Sequence, residues 1–130
     1  MKVTAHEMTK DFYPYYLEMH NQVFAEDYGH MPSLVYLAHD EEGIVGFVAG
    51  YRHRLGTFYV SKMGVMPGRK RDFKYYTKVW EAIKESGFKT ILGMIENTNK
   101  PVLMRMLRDG FTICGFRVAD VSLVEVMKEL

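Results

Sequence analysis

A run of basic residues lies between a strand-like segment and a helix-like one, and this arrangement is a candidate anion site. Residues 57–66 have strand character, and Pro67 and Gly68 break the pattern before a helical periodicity begins near Arg71. The amides at a helix N-terminus favour negative charge, and basic side chains add to that attraction. The cluster therefore indicates a phosphorylated ligand, although a solvated helix start would explain the same charges. Its members are Arg69, Lys70, Arg71, Lys74 and Lys78.

The remaining chemically active side chains are scattered along the chain. The five histidines, at positions 6, 20, 30, 39 and 53, lack the spacing of metal ligands, so no metal site is predicted. His30 and His53 fall in predicted loops, where each is either a base that titrates near neutral pH or a solvated loop residue. Cys114 is flanked by apolar residues without a nearby His or Asp, which predicts a buried, unreactive thiol. A single cysteine also excludes an intramolecular disulfide.

Length and composition predict one globular domain over residues 1–130. A hydrophobic fraction of 48% and a charged fraction of 25% are ordinary for a soluble protein. The net charge of +1 provides no overall field toward nucleic acid or membrane, so neither is an expected partner. No apolar run has the length of a membrane span, and residues 1–12 lack the apolar segment of a signal peptide. A cytoplasmic protein is therefore expected.

Hydrophobic periodicity predicts a mixed, mostly antiparallel sheet of six or seven strands with helices on both faces. Gly46 and Gly50 lie inside one strand, which indicates a bulge or a closely approaching neighbour. The third helix is expected to bury Leu103, Met104, Met106 and Leu107. The predicted elements are strand 2–5, helix 10–25, loop 28–33, strands 34–39 and 44–51 joined by turn 40–43, basic loop 52–56, strand 57–66, helix 71–86, strand 90–95, helix 99–108, and strands 111–118 and 121–127.

Two stretches, VYLAHDEEGIVGFVAG and IENTNKPVLMRMLRDGF, together with the strand, Pro67 and basic loop between them, resemble the GCN5-related N-acetyltransferases (GNAT). The resemblance covers Leu34 to the C-terminus and is looser over residues 3–28. It implies an α/β fold of the GNAT type and transfer of an acetyl group from acetyl-CoA to an amine. It also implies that CoA lies between the splayed fourth and fifth strands, with its pyrophosphate on amides of the loop that opens the next helix.

The same resemblance assigns residues to the cofactor. The end of strand 57–66 is expected to pair with the pantetheine amides, a backbone N–H near Val65 to hold the thioester oxygen, and the basic loop to hold the pyrophosphate. Asn99 matches an Asn of the family, although a plain helix N-cap is the simpler role for it and the one that we favour. The residues expected to contact CoA are Met63, Val65, Met66, Arg69, Lys70, Arg71, Asp72, Phe73, Lys74, Asn99 and Met106.

The sequence departs from the family where the chemistry is expected. Phe73 and Tyr75 replace loop glycines that let amides approach a phosphate. Met106 stands where the family often has a tyrosine that protonates the departing thiolate, and Ser61 where a glutamate often acts as base. Ser61 and Tyr59 are therefore the catalytic candidates, with a water or a loop histidine as the alternative base.

These departures leave a second interpretation open. Short internal virion proteins of T7-like phages are similar across the same stretch, and they suggest a member of the fold that acts as a structural or interaction protein, in the virion or the host cytoplasm. The expected partners are CoA and an amine under the first interpretation, and a macromolecule under the second. A monomer or a homodimer is expected, since the C-terminal strand pair supplies a sheet edge.

Overall fold

The computed structural model describes residues 1–24, 31–69, 74–118 and 120–130. Strands and helices follow one another in the predicted order. The strands are β1 (Lys2–Glu7), β2 (Leu34–Asp40), β3 (Gly43–Arg54), β4 (Thr57–Val65), β5 (Thr90–Glu96), β6 (Thr112–Val118) and β7 (Ser122–Glu129), and the helices are α1 (Tyr13–Phe24), α2 (Lys74–Glu85) and α3 (Lys100–Arg108).

One seven-stranded sheet has the strand order β1-β2-β3-β4-β5-β7-β6. Its pairs are antiparallel except β4 with β5, which are joined through α2 and run parallel. This confirms the mixed, mostly antiparallel sheet. Strands β5 and β6, which α3 joins, run in the same direction but are not neighbours, because β7 lies between them. A strand that follows β6 after a short turn pairs with it at once, and β7 thereby fills the place beside β5.

Helices cover both faces of the sheet because strand residues alternate between them. Val35 and Leu37 of β2 pack with Tyr16 and Met19 of α1. Tyr36, between them, packs on the opposite face, in the larger cluster that holds the buried sides of α2 and α3. Burial of these apolar surfaces is the main force that holds the three layers together.

Close strand approach explains the glycines of β3. A Cβ on Gly50 would lie 1.9 Å from the carbonyl oxygen of Tyr59, and a Cβ on Gly46 would lie 2.4 Å from that of Gly64. The β3–β4 register also shifts between Ala49 and Gly50. Both the bulge and the close neighbour that the sequence predicts are therefore confirmed.

Three local predictions were wrong. Basic residues 52–54 continue β3 instead of forming a loop, because Arg52 pairs with Phe58 and Arg54 with Thr57 across a tight turn. Met104 and Leu107 are exposed by 54% and 40%, since α3 turns its other side, with Leu103 and Met106, toward the sheet. Cys114 is exposed as well, because β6 is an edge strand.

Helix boundaries follow local signals, with shifts of a few residues. The Phe12 N–H donates to the Thr9 hydroxyl oxygen (3.1 Å) in the turn before α1, which begins at Tyr13 and not near residue 10 as predicted. Gly87 ends the turn after α2 with a φ of 97°, which glycine adopts without strain. The predicted first helix and loop 28–33 extend into residues 25–30, which lie outside the described ranges.

Candidate functional site

Strands β4 and β5 separate part-way along their length. They pair only from Thr57 with Thr90 to Val60 with Gly93. Beyond that point β4 stays paired with β3 up to Val65, and β5 stays paired with β7 up to Glu96. Residues 61–65 and 94–96 therefore face each other without a ladder, and their inward backbone groups can bind an extended ligand.

The splay forms a cleft of about 210 Å³. Its walls come from the two strands, with α3 along one side and the end of α1 at the rim. Four of the predicted site residues line the cleft. Ser61 and Met63 belong to β4, Asn99 precedes α3, and Met106 lies within α3. The other lining residues are Phe24, Val60, Lys62, Gly93, Met94, Ile95, Glu96 and Val102.

A bulge places Ser61 where the strands separate. Gly50 pairs with Val60 and Ala49 with Lys62, so Ser61 is the extra residue of β4. Its hydroxyl donates to the carbonyl oxygen of Ala49 at 3.1 Å. Bulges re-aim side chains next to functional sites and end strand pairing. Here the bulge coincides with the end of the β4–β5 ladder.

The overall architecture matches solved structures. The chain is similar to the ribosomal-protein-S18-alanine N-acetyltransferase from Escherichia coli, with a TM-score of 0.74 and 11% identity over 98% of this chain and 94% of that one. It is also similar to an acetyltransferase of the GNAT family from Bacillus cereus, with a TM-score of 0.73 and 12% identity over 99% and 98% of the two chains. A Bacillus subtilis acetyltransferase in complex with CoA gives 0.69 and 15% over 99% and 98%.

The chain has the GNAT fold. At these identities the likeness concerns the fold alone. No protein-family model matches the sequence, and a search of the curated proteins finds none that matches. The activity of the chain therefore depends on the particular residues that line the cleft.

In the loop between β4 and α2, the described arginine is already paired with carboxylates. The Arg69 guanidinium binds the Asp40 carboxylate and donates to Glu42 Oε2 at 2.8 Å, so the β2–β3 turn already neutralises it. An anion at this loop has to displace those carboxylates or bind backbone amides instead. Lys74 begins α2. The other predicted loop contacts, Lys70, Arg71, Asp72 and Phe73, lie outside the described residues.

Tyr75 does not obstruct the loop. Its side chain is fully buried, and its hydroxyl lies 3.3 Å from the carbonyl oxygen of Gly64, to which it donates. Burial raises the pKa of the Tyr75 hydroxyl well above its ordinary value. The side chain that replaces a loop glycine is thus part of the core, and the space in front of α2 is not taken by it.

Asn99, just before α3, and Met106, within it, both line the cleft. Asn99 occupies the N-cap position, but its side chain makes no capping hydrogen bond, so the simple capping role is wrong. Its amide lines the cleft instead. Met106 is 1% exposed and also lines the cleft, where it offers a thioether and no acidic proton.

The other predicted residues lie outside the cleft lining. Val65 packs against the α2 side of the sheet, and the Met66 N–H donates to the Val45 carbonyl oxygen at 2.8 Å. Tyr59 lies in the paired part of β4, with the His53 ring centroid 5.8 Å from its own. Burial raises the pKa of the Tyr59 hydroxyl, and nearby Arg117 only partly offsets this. Tyr59 is therefore a neutral phenol at neutral pH.

Sequence reasoning missed the charged rim of the cleft. Glu96 lies at the exposed end of β5. Among the cleft-lining residues that the structure describes, its side chain is the one carboxylate. Lys62 of β4 also lines the cleft, with its Nζ 4.7 Å from the centroid of the Phe24 ring. Strand alternation could have revealed Glu96, because it shares a face with Met94 at the position where the strand ends.

A larger cavity of about 570 Å³ lies at the far ends of α2 and α3. Two of its polar side chains are bonded to Asp109: Trp80 Nε1 donates to Asp109 Oδ2 at 2.9 Å, and the Lys128 ammonium donates to the Asp109 carbonyl oxygen. None of the sequence-predicted site residues that the structure describes lines it. The smaller cleft is therefore the better candidate site.

Residues 1–24, 31–69, 74–118 and 120–130 contain no group of three or more His, Cys, Asp or Glu side chains arranged to hold a metal ion. No helix in the same ranges has the length and apolar character to span a membrane.

Proposed function

We propose that the protein is an N-acetyltransferase that transfers an acetyl group from acetyl-CoA to an amine. The observation that carries this proposal is the divergence of β4 and β5 beyond Val60 and Gly93, in a chain with the GNAT fold. The neighbour from Bacillus subtilis, a complex with CoA, supports the choice of cofactor.

Pantetheine fits the backbone geometry of the cleft. Its arm is extended and carries two amides, so it can replace the missing strand beside residues 61–65 and satisfy their inward N–H and C=O groups. Met63, Val102 and Met106 give this arm apolar contacts. The Asn99 side-chain amide, which makes no capping hydrogen bond to α3, supplies one polar contact at the open end of the cleft.

The pyrophosphate belongs at the loop between β4 and α2. Gly68 has a φ of 79° and open space where a side chain would be, which allows the backbone amides to approach an anion. Because Asp40 and Glu42 already bind Arg69, the amides and the remaining basic residues of the loop carry more of the phosphate binding than Arg69 does. The run of basic residues in the sequence, taken alone, would instead have made Arg69 a main phosphate-binding group.

The reaction is a direct transfer. The lone pair of the neutral amine attacks the thioester carbonyl, the N–C bond forms, the C–S bond breaks, and CoA leaves as a thiolate that then takes up a proton. A backbone N–H of residues 61–65 stabilises the oxyanion. A serine hydroxyl is too weak a base to hold the amine proton at neutral pH. The Ser61 hydroxyl donates to the Ala49 carbonyl oxygen and so links the bulge to β3. Glu96 is the better base, acting directly or through a water.

The activity is tested by release of the CoA thiol from acetyl-CoA in the presence of simple amines. Tripeptides with free α-amino groups, lysine and spermidine cover the main amine classes. We expect amine-dependent release with at least one class and a matching acetylated product by mass spectrometry. Release that stays at the amine-free rate across the whole panel would count against the enzymatic proposal.

Glu96→Gln should lower kcat/KM about 100-fold, because the amide cannot accept the amine proton. The loss should be largest near neutral pH and shrink at high pH, where the amine is already deprotonated. Affinity for acetyl-CoA should stay unchanged. Glu85→Gln, an exposed carboxylate at the end of α2, is the matched control. Equal pH profiles for wild type and Glu96→Gln would remove Glu96 from the mechanism.

A second candidate function is favoured by Met106 and Arg69. Met106 has a thioether at the position where a proton donor would protonate the thiolate. Arg69, which was predicted to bind phosphate, is bound by two carboxylates instead. Both observations fit a GNAT-fold protein that interacts with another macromolecule and catalyses no transfer. This alternative predicts no amine-dependent release of CoA under any condition.

A further inference from the structure

The two edges of the sheet differ in how they are protected. An edge strand exposes unpaired N–H and C=O groups, and proteins usually guard such strands with charge. The exposed side chains of β1 are Lys2, Ala5 and Glu7. Strand β6, at the other edge, exposes Ile113, Phe116 and Val118 by 56%, 62% and 74%. The β6 edge therefore has both the backbone groups and the apolar side chains that a further strand would bind.

The β6 side chains are divided between the two faces of the sheet. Phe116 lies opposite Val124, which is buried under α2 and α3, so Phe116 is on that face. Gly115 and Arg117 lie on the other face, where Gly115 is opposite Glu125. A bulge at Cys114 interrupts the pairing with β7, but residues 115–118 are regular.

Glu125 extends across the glycine beside it. A Cβ on Gly115 would lie 3.5 Å from Glu125 Oε1 and 3.4 Å from Glu125 Cβ. The carboxylate is thus close to the outer edge of the sheet, where no Gly115 side chain screens it. The Cys114 thiol donates to the same oxygen at 3.6 Å. Because a thiol is a neutral and weak donor, this contact compensates little of the negative charge of the Glu125 carboxylate.

We propose that β6 pairs antiparallel with β6 of a second copy, with Phe116 on the two-fold axis. In this register Phe116 lies opposite the partner's Phe116, and Arg117 lies opposite the partner's Gly115. Each guanidinium then reaches over that glycine to the partner's Glu125, so the pairing contains two identical ion pairs. A closed two-fold dimer results, in which the sheet continues across both subunits.

Neighbouring registers are less favourable. With Arg117 on the axis, two guanidinium groups would lie directly opposite each other, which destabilises a strand pair. With Gly115 on the axis, Arg117 would lie opposite Ile113, whose side chain is on the other face because of the bulge. Only the Phe116-centred register combines like faces with opposite charges, and this self-complementarity selects a second copy as the occupant of the edge.

Reciprocal charge reversal tests the pairing, independently of the proposed enzymatic activity. Sedimentation equilibrium of the full chain should give twice the 15.1 kDa monomer mass. Arg117→Glu and Glu125→Lys should each raise the dimer dissociation constant about tenfold or more, and the double variant should recover the dimer. Leu55→Asp, at a fully exposed turn residue, is the control and should leave the dimer intact. A wild-type monomer at all concentrations, or a dimer unaffected by either reversal, would overturn the proposal.

Disulfide trapping tests the register. In a Cys114→Ser background, Phe116→Cys should oxidise to a covalent dimer, because residues paired across antiparallel strands have Cα separations compatible with a disulfide. Ile113→Cys in the same background is the control. It should form no cross-link and should run as a monomer on denaturing gels without reducing agent. Equal cross-linking of the two variants would overturn the Phe116-centred register.

Discussion

Gly50→Ala is expected to lower the free energy of unfolding by about 3 kcal/mol, which is the upper range for overpacking a buried site. The added Cβ would lie 1.9 Å from the Tyr59 carbonyl oxygen and 2.9 Å from the Phe58 ring. The first of these atoms is backbone, so β3 and β4 must move apart to admit the methyl group. Chemical denaturation followed by circular dichroism measures the change.

Gly93→Ala is the matched control for Gly50→Ala. Both glycines are buried strand residues, but a Cβ on Gly93 would lie 3.7 Å from Val60 Cβ, an ordinary contact distance. Its stability should therefore be near that of wild type or slightly higher, since alanine restricts the unfolded chain. Equal stabilities for the two variants would contradict the close β3–β4 approach that shapes the bulge at Ser61.

Met106→Tyr should raise the rate of CoA thiolate release about 100-fold, the lower range for a positioned general acid. Met106 lines the cleft from α3, so a phenol there can point into the cleft. The proton donor would then stand where the GNAT resemblance places one. Steady-state kinetics with the best amine of the panel gives kcat directly.

Met106→Phe separates the hydroxyl from the change in shape. Met106 is 1% exposed, so either aromatic ring crowds the cleft, and both variants share that cost. We expect Phe to give no gain over Met. If Tyr and Phe behave alike, protonation of the thiolate does not limit the rate, and the absence of a tyrosine at this position carries no functional weight.

The sequence predicted the architecture well because the strong signals were local. Alternating apolar residues, tight turns and the Pro67-Gly68 break set the order of the elements, and that order carried the GNAT resemblance. Gly46 and Gly50 even indicated the close strand contact. The errors lie where tertiary context decides: strand pairing extends β3 through Arg54, and the edge position of β6 exposes Cys114.

The site was predicted less completely than the fold. Ser61, Met63, Asn99 and Met106 do line one cleft. The sequence could not show that Ser61 donates to Ala49 or that Arg69 is bound by carboxylates, because Arg69 and its partners are 27 and 29 residues apart. Glu96 was missed because a charged residue at a strand end is usually just solvated.

Binding of acetyl-CoA in the β4–β5 cleft is the central claim, and calorimetric titration of cleft-filling variants tests it most directly. Val102→Trp places an indole in the cleft from α3, whereas Met104→Trp places one on the exposed side of the same helix. We predict that wild type and Met104→Trp bind acetyl-CoA with equal affinity and that Val102→Trp binds at least about 100-fold more weakly, a loss of about 2.7 kcal/mol. An absence of binding heat for wild type at millimolar acetyl-CoA, or full affinity in Val102→Trp, would contradict the account.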